Sequence, residues 1–127
     1  MKTILLSFLL PLALFTNAYA EECKPPPVKH SQELERMKAL EGKWKGTTMH
    51  GNKKETVVVD YHVTAGGTAV VETLFPGSPH EMVSVYHDDD GVLTMTHYCM
   101  LGNQPRMDLT SSSPKELNFS FGQKNTI

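Results

Sequence analysis

Glu55-Thr56-Val57-Val58-Val59-Asp60-Tyr61-His62-Val63-Thr64 is the stretch that decides the fold. Val57, Val59, Tyr61 and Val63 fall on one side of an extended chain. Thr56, Asp60, His62 and Thr64 fall on the other, the period of two that a half-buried strand requires. Turn residues bound it on both sides, His50-Gly51-Asn52 before and Gly66-Gly67 after. Working outward, the same pattern predicts strands over 43–50, 68–75, 81–87, 92–101, 107–110 and 117–121. Pro76-Gly77-Ser78-Pro79 breaks the third strand, and Asp88-Asp89-Asp90-Gly91 carries an Asp-Gly hairpin signal. Short strands punctuated this regularly indicate an all-β, antiparallel up-and-down meander. A meander with one apolar face tends to close into a barrel, because closure removes its exposed edges. Seven strands are few for that closure, and Phe119-Ser120-Phe121-Gly122 stops where a further hairpin would begin. The sequence therefore predicts either an open barrel or a C-terminally truncated form of a longer one, and truncation is the preferred expectation.

Upstream of the strands the period changes. Ser31 is placed as a helix N-cap, with Glu33 and Glu35 in the first turn, where the helix dipole favours anions. Leu34, Met37 and Leu40 share one face, and Gly42 is the expected stop. So short a helix needs a surface to pack on. Residues 21–30 contain Pro25-Pro26-Pro27, which cannot be helical and form an extended tether. Residues 1–20 carry Lys2, an apolar run from Ile4 to Phe15, and Ala18-Tyr19-Ala20, the three parts of a secretory signal. The expected mature protein begins at Glu21 and is exported, periplasmic or extracellular, with one domain over 31–127. No transmembrane segment is expected in it.

The 127 residues carry 12 Lys and Arg against 14 Asp and Glu, a net charge of −2, so no basic stripe invites nucleic acid. Without the signal, roughly 110 residues remain, a size that buries only about 60–70% of its unfolded surface. Cys23 and Cys99 can pair in an oxidising compartment, or remain as one free and one buried thiol; their spacing leaves both open.

Gly42-Lys43-Trp44, following the short helix and preceding the meander, resembles the Gly-x-Trp motif of lipocalin-like (calycin-type) barrels. Trp44 is the single tryptophan. Val63-Thr64-Ala65-Gly66-Gly67-Thr68, Pro79-His80-Glu81-Met82, Thr96-His97-Tyr98-Cys99 and Gly102-Asn103-Gln104-Pro105-Arg106-Met107 are similar to an uncharacterised group of exported bacterial barrel proteins. The resemblance covers under half of the mature chain. It implies a lipocalin-like barrel of unassigned function, with the Trp44 indole plugging its closed end. The later lipocalin motifs, including a C-terminal arginine over the tryptophan, are missing.

Candidate chemistry concentrates between His80 and Arg106. On the fifth strand Leu93, Met95, His97, Cys99 and Leu101 share one parity, which would carry His97 and Cys99 inward. On the fourth, Val83, Val85 and His87 share the more apolar parity, which would bring His87 near His97 across the Asp88 to Gly91 hairpin. Those three side chains would supply imidazole and thiolate ligands for a metal or haem, with His80 or Glu81 as a fourth. The competing account is a hydrogen-bonded core histidine beside an inert thiol. Gly102 to Arg106 forms a polar loop in which Asn103 and Arg106 could grip a carboxylate or phosphate. Alternatively, Arg106 pairs with Asp108 or Glu81. An enzyme would have to work from the His80, Glu81, His87, His97 and Cys99 region, but no nucleophile–base–orienter set is legible. The reading that emerges is a non-catalytic binder of a small apolar or amphipathic ligand, its cofactor unknown, contacted by Trp44, His80, Met95, His97, Asn103 and Arg106. An envelope interaction module without a closed pocket is the remaining alternative.

Overall fold

The structure, a computed structural model, describes residues 27–121. One helix, α1 (Gln32–Lys38), precedes seven strands: β1 (Gly42–His50), β2 (Lys53–Thr64), β3 (Ala69–Leu74), β4 (Met82–Asp89), β5 (Val92–Tyr98), β6 (Arg106–Ser113) and β7 (Glu116–Phe121). They form one antiparallel sheet in the order β1-β2-β3-β4-β5-β6-β7, curled into a half-barrel. β1 and β7 do not pair with each other among the described residues. The expected meander is thus present, as a curled open sheet. The signal, the tether through Pro26 and Cys23 lie outside the described residues.

The alternation of β2 sets the concave face. Tyr61 pairs with Glu72 and Val63 with Val70, and these continue to Ser84 and Tyr86 on β4. Met95 on β5 and Met107 on β6 complete the row that passes through Tyr86. Helix α1 lies over one end of this face. Leu34 and Met37 bury themselves against Val70, Tyr86 and Leu93, with Leu40, Val63, Leu109, Leu117 and Phe119 packed around them. Tyr86 and Phe119 meet edge to face at 5.9 Å.

Ser31 caps α1 as expected, accepting from the Leu34 amide at 3.0 Å. Its own N–H and hydroxyl donate to the two Asp88 carboxylate oxygens, at 2.7 and 2.6 Å. Asp88 therefore clamps the helix start to the β4 end, a long-range bond from the first residue of the Asp88-Asp89-Asp90-Gly91 stretch. The helix stops at Lys38, earlier than Gly42. Gly42 instead opens β1 at φ +117°, a conformation side chains resist, turning the chain from helix into sheet.

Two further expectations change. β5 ends at Tyr98, because the Cys99 amide turns to donate to the Asn103 carbonyl (3.1 Å) and starts a loop. β6 runs longer than expected, with a register shift between Leu109 and Ser111 that lets the polar Ser111 to Ser113 run stay paired to β7.

Candidate functional site

The register places Tyr61, Glu72, Ser84 and His97 side by side across β2 to β5, all on the concave face. Glu72 is 9% exposed, and each of its oxygens accepts from a phenol: Tyr61 at 2.8 Å and Tyr86 at 3.0 Å. A carboxylate taken from water must be hydrogen-bonded, and here two hydroxyls serve, with no cation paired to it among the described residues. Burial first, then the neighbouring Glu72 charge and hydrogen bonds, push both phenols far above the usual 10.0. Both tyrosines accordingly remain neutral donors. Ser84, 2% exposed, shares a 3.0 Å hydrogen bond with His97 Nδ1. The other ring nitrogen, Nε2, has no protein partner among the described residues.

This row lies where α1 stops covering the sheet. Towards the 50–53 hairpin and the 75–81 loop, the concave face opens into a groove of about 620 Å³. Trp44, Val57, Val59 and Phe75 line it, and Gly46 leaves room over the β1 backbone. Trp44 pairs across to Val59, and its indole N–H donates to the Leu40 carbonyl at 2.6 Å. The ring stays 53% exposed because β1 has no strand partner beyond it among the described residues. It does not plug the covered end, where Leu34 and Met37 do so. Phe75 adopts φ +52°, costly for a bulky residue, and is held there by its amide bond to the Val58 carbonyl at 3.0 Å. The strained turn carries its ring to the groove.

The other sequence-derived candidates disperse. His97 faces inward as expected, but His87 does not join it. The buried parity of β4 is Ser84 and Tyr86, so His87 pairs with Thr94 on the opposite, convex face. Tyr86 and Ser84 win the inner side because a tyrosine with a hydrogen-bond partner buries more apolar area than a valine. Cys99 has left the strand, half-buried and unpaired among the described residues. No group of three or more His, Cys, Asp or Glu among the described residues is placed to hold a metal ion.

Met95 sits under α1 in the core rather than in the groove. His80 is exposed on the 75–81 loop, where its amide donates to Ser78 Oγ (3.1 Å), and the Glu81 carboxylate accepts from the Gly77 amide. Asn103 is exposed on the 99–105 loop. Arg106 occupies the convex parity, opposite Thr96, and pairs with Asp89 and with Asp108 (3.6 Å). The Asp108 pairing is one of the two expected for Arg106; the nearer partner, Asp89, was not among them.

Sequence reasoning missed the Tyr61–Glu72–Tyr86 cluster. Its signal was a carboxylate on the parity of Val70 and Leu74, inside a strand whose other members on that side are apolar. Chemically the row is a neutral-donor and acceptor seam beside an apolar groove. Ser84 and His97 form a hydroxyl–imidazole pair, but among the described residues no carboxylate bonds to the ring, Glu72 being held by its two tyrosines. Among the described residues no helix is long and apolar enough to cross a membrane. Comparison with protein-family models, with curated proteins and with solved structures finds no match for this chain.

Proposed function

We propose that this chain is an exported, non-catalytic protein that binds a small apolar or amphipathic ligand along its concave face, in the manner of a lipocalin-like calyx. The observation that carries the reading is the uncovered apolar groove of Trp44, Val57, Val59 and Phe75 running up to a polar row. Ligand sites of this kind pair an apolar lining with a few placed polar groups. The polar end of the ligand rests near His97 Nε2 and is neutral or a hydrogen-bond donor and acceptor. An acidic head is disfavoured by the Glu72 carboxylate, and Arg106 is engaged by Asp89 and Asp108 on the other face. Fold analogy is an associational warrant, so the side chains of the groove must bear the test.

That test begins with a native mass spectrum of the protein from Glu21 onward, purified from an exporting host. A reproducible mass excess lost in Trp44→Ala is expected. Trp44, the single tryptophan, also reports directly: a long-chain alcohol should shift its emission to the blue and do so less in His97→Ala. No mass excess, together with unchanged Trp44 emission, would sink the proposal. The second reading, an interaction module without a closed pocket, is favoured by the unpaired edges of the sheet among the described residues.

A further inference from the structure

Past the end of β3 the sheet narrows to a two-stranded ribbon. Leu74 pairs with Val59, and the Phe75 amide still reaches the Val58 carbonyl, but residues 53–57 of β2 pair only with β1. The ribbon of residues 46–50 and 53–57, turned at Gly51-Asn52, therefore projects by about 17 Å. Residues 43–49 and 51–56 are all exposed. A ribbon standing clear of its sheet is marginally stable in water, and a surface to lie against would stabilise it.

The charge of this ribbon runs against that of the chain. Lys43, Lys45, Lys53 and Lys54 lie between Gly42 and Lys54 with no Asp or Glu among them, whereas the chain has a net charge of −2. Lys43 has a counter-charge in Asp60, at 3.9 Å. Lys45, Lys53 and Lys54 form no ion pair among the described residues. Met49 lies between them: it pairs across the ribbon with Lys54, shares the convex parity of Lys45, and is 63% exposed.

Cations set around an exposed apolar side chain match a layered partner, anionic at its surface and apolar just beneath. An anionic bilayer has that profile. Lys53 and Lys54 are consecutive and leave the strand on opposite faces. A plane met at the ribbon tip engages both, because lysine stems are long enough to reach it. Nucleic acid fits less well, since base stacking needs an aromatic beside the cations, and Trp44 lies on the other face, over the groove. We propose that the β1–β2 ribbon docks this protein on an anionic lipid surface, Met49 entering beneath the headgroups and Lys45, Lys53 and Lys54 lying among them. Met49, Lys53 and Lys54 do not border the apolar groove, so the inference stands apart from any ligand held there.

Co-sedimentation of the protein from Glu21 onward with vesicles measures the docking. Binding is expected to equimolar phosphatidylcholine and phosphatidylglycerol at low ionic strength, to weaken as salt is added, and to be absent with phosphatidylcholine alone. Lys53→Gln with Lys54→Gln should weaken it by more than about tenfold. Lys29→Gln with Lys115→Gln removes the same charge at exposed positions outside the ribbon and should leave it unchanged. In a Trp44→Phe background, Met49→Trp should shift its emission to the blue on these vesicles and be quenched by lipids brominated on their chains. Far-ultraviolet dichroism should be the same for every variant, since each substituted lysine is exposed. No binding to the anionic vesicles, equal binding to phosphatidylcholine alone, equal losses in the two lysine pairs, or unmoved emission from Met49→Trp would each overturn the proposal. So would tighter binding to duplex DNA or to polyglutamate than to the vesicles, which would give the ribbon a different anionic partner.

Discussion

At the helix end of the half-barrel Leu34, Met37, Val70, Tyr86 and Leu93 are buried, whereas towards the opposite end Trp44 and Phe121 stay exposed. Val70, Tyr86 and Leu93 share the concave face of one sheet with Trp44 and Phe121. The difference is a single seven-residue helix and the Ser31–Asp88 clamp that seats it. An apolar side chain on a sheet becomes core only when another layer covers it. The covered end therefore carries the stability, and the open end holds apolar surface available for binding.

Leu34→Ala should break that contrast most severely. Leu34 is fully buried between helix and sheet, and its truncation should cost about 2–5 kcal/mol in chemical denaturation. Trp44→Ala, a larger deletion at the open end, should cost far less; comparable losses would show that the two ends do not differ as described.

The polar row between the ends comes next. Tyr86→Phe leaves a Glu72 oxygen without its donor and should cost about 1–3 kcal/mol, the penalty of an unmade buried hydrogen bond. The row also predicts an alkaline limit. Folding raises the Tyr61 and Tyr86 pKa values above their unfolded 10.0, so the protonated phenols stabilise the fold fully below that pH. Above it the unfolded chain loses protons that the folded chain retains, and stability falls with rising pH. Denaturation midpoints measured on either side of pH 10.0 should show this fall, and Tyr61→Phe/Tyr86→Phe should flatten it.

Ser31→Ala removes the helix cap and one of the two bonds to Asp88, for an expected loss of about 1 kcal/mol in denaturation. Arg106→Ala should have the smallest effect, on stability and on any concave-face ligand alike, since its partners Asp89 and Asp108 are on the convex side. A clear loss of ligand in that variant would move the binding site away from the groove.

The alternation of Val57, Val59, Tyr61 and Val63 was enough to define β2 and, with the turn residues, the meander order, because side-chain direction in a strand follows from local backbone geometry alone. The helix start was equally legible, Ser31 and its acidic first turn being a local cap. Faces were harder to read on β4, where Val83, Val85 and His87 compete with Ser84 and Tyr86 and hydrophobicity alone favours the wrong set. Glu72 became an inner residue only because Tyr61 and Tyr86, on two different strands, arrive at its two oxygens. Cys99 parted from His97 because its amide found the Asn103 carbonyl. Sequence by itself determined the strand periodicity, the turns and the cap, which depend on neighbours a few residues away. Tertiary structure alone decided that the sheet stays open among its described residues, that Asp88 holds the helix, and which polar groups meet on the concave face. Those outcomes depend on register across strands, and register sums the packing of residues far apart in the chain.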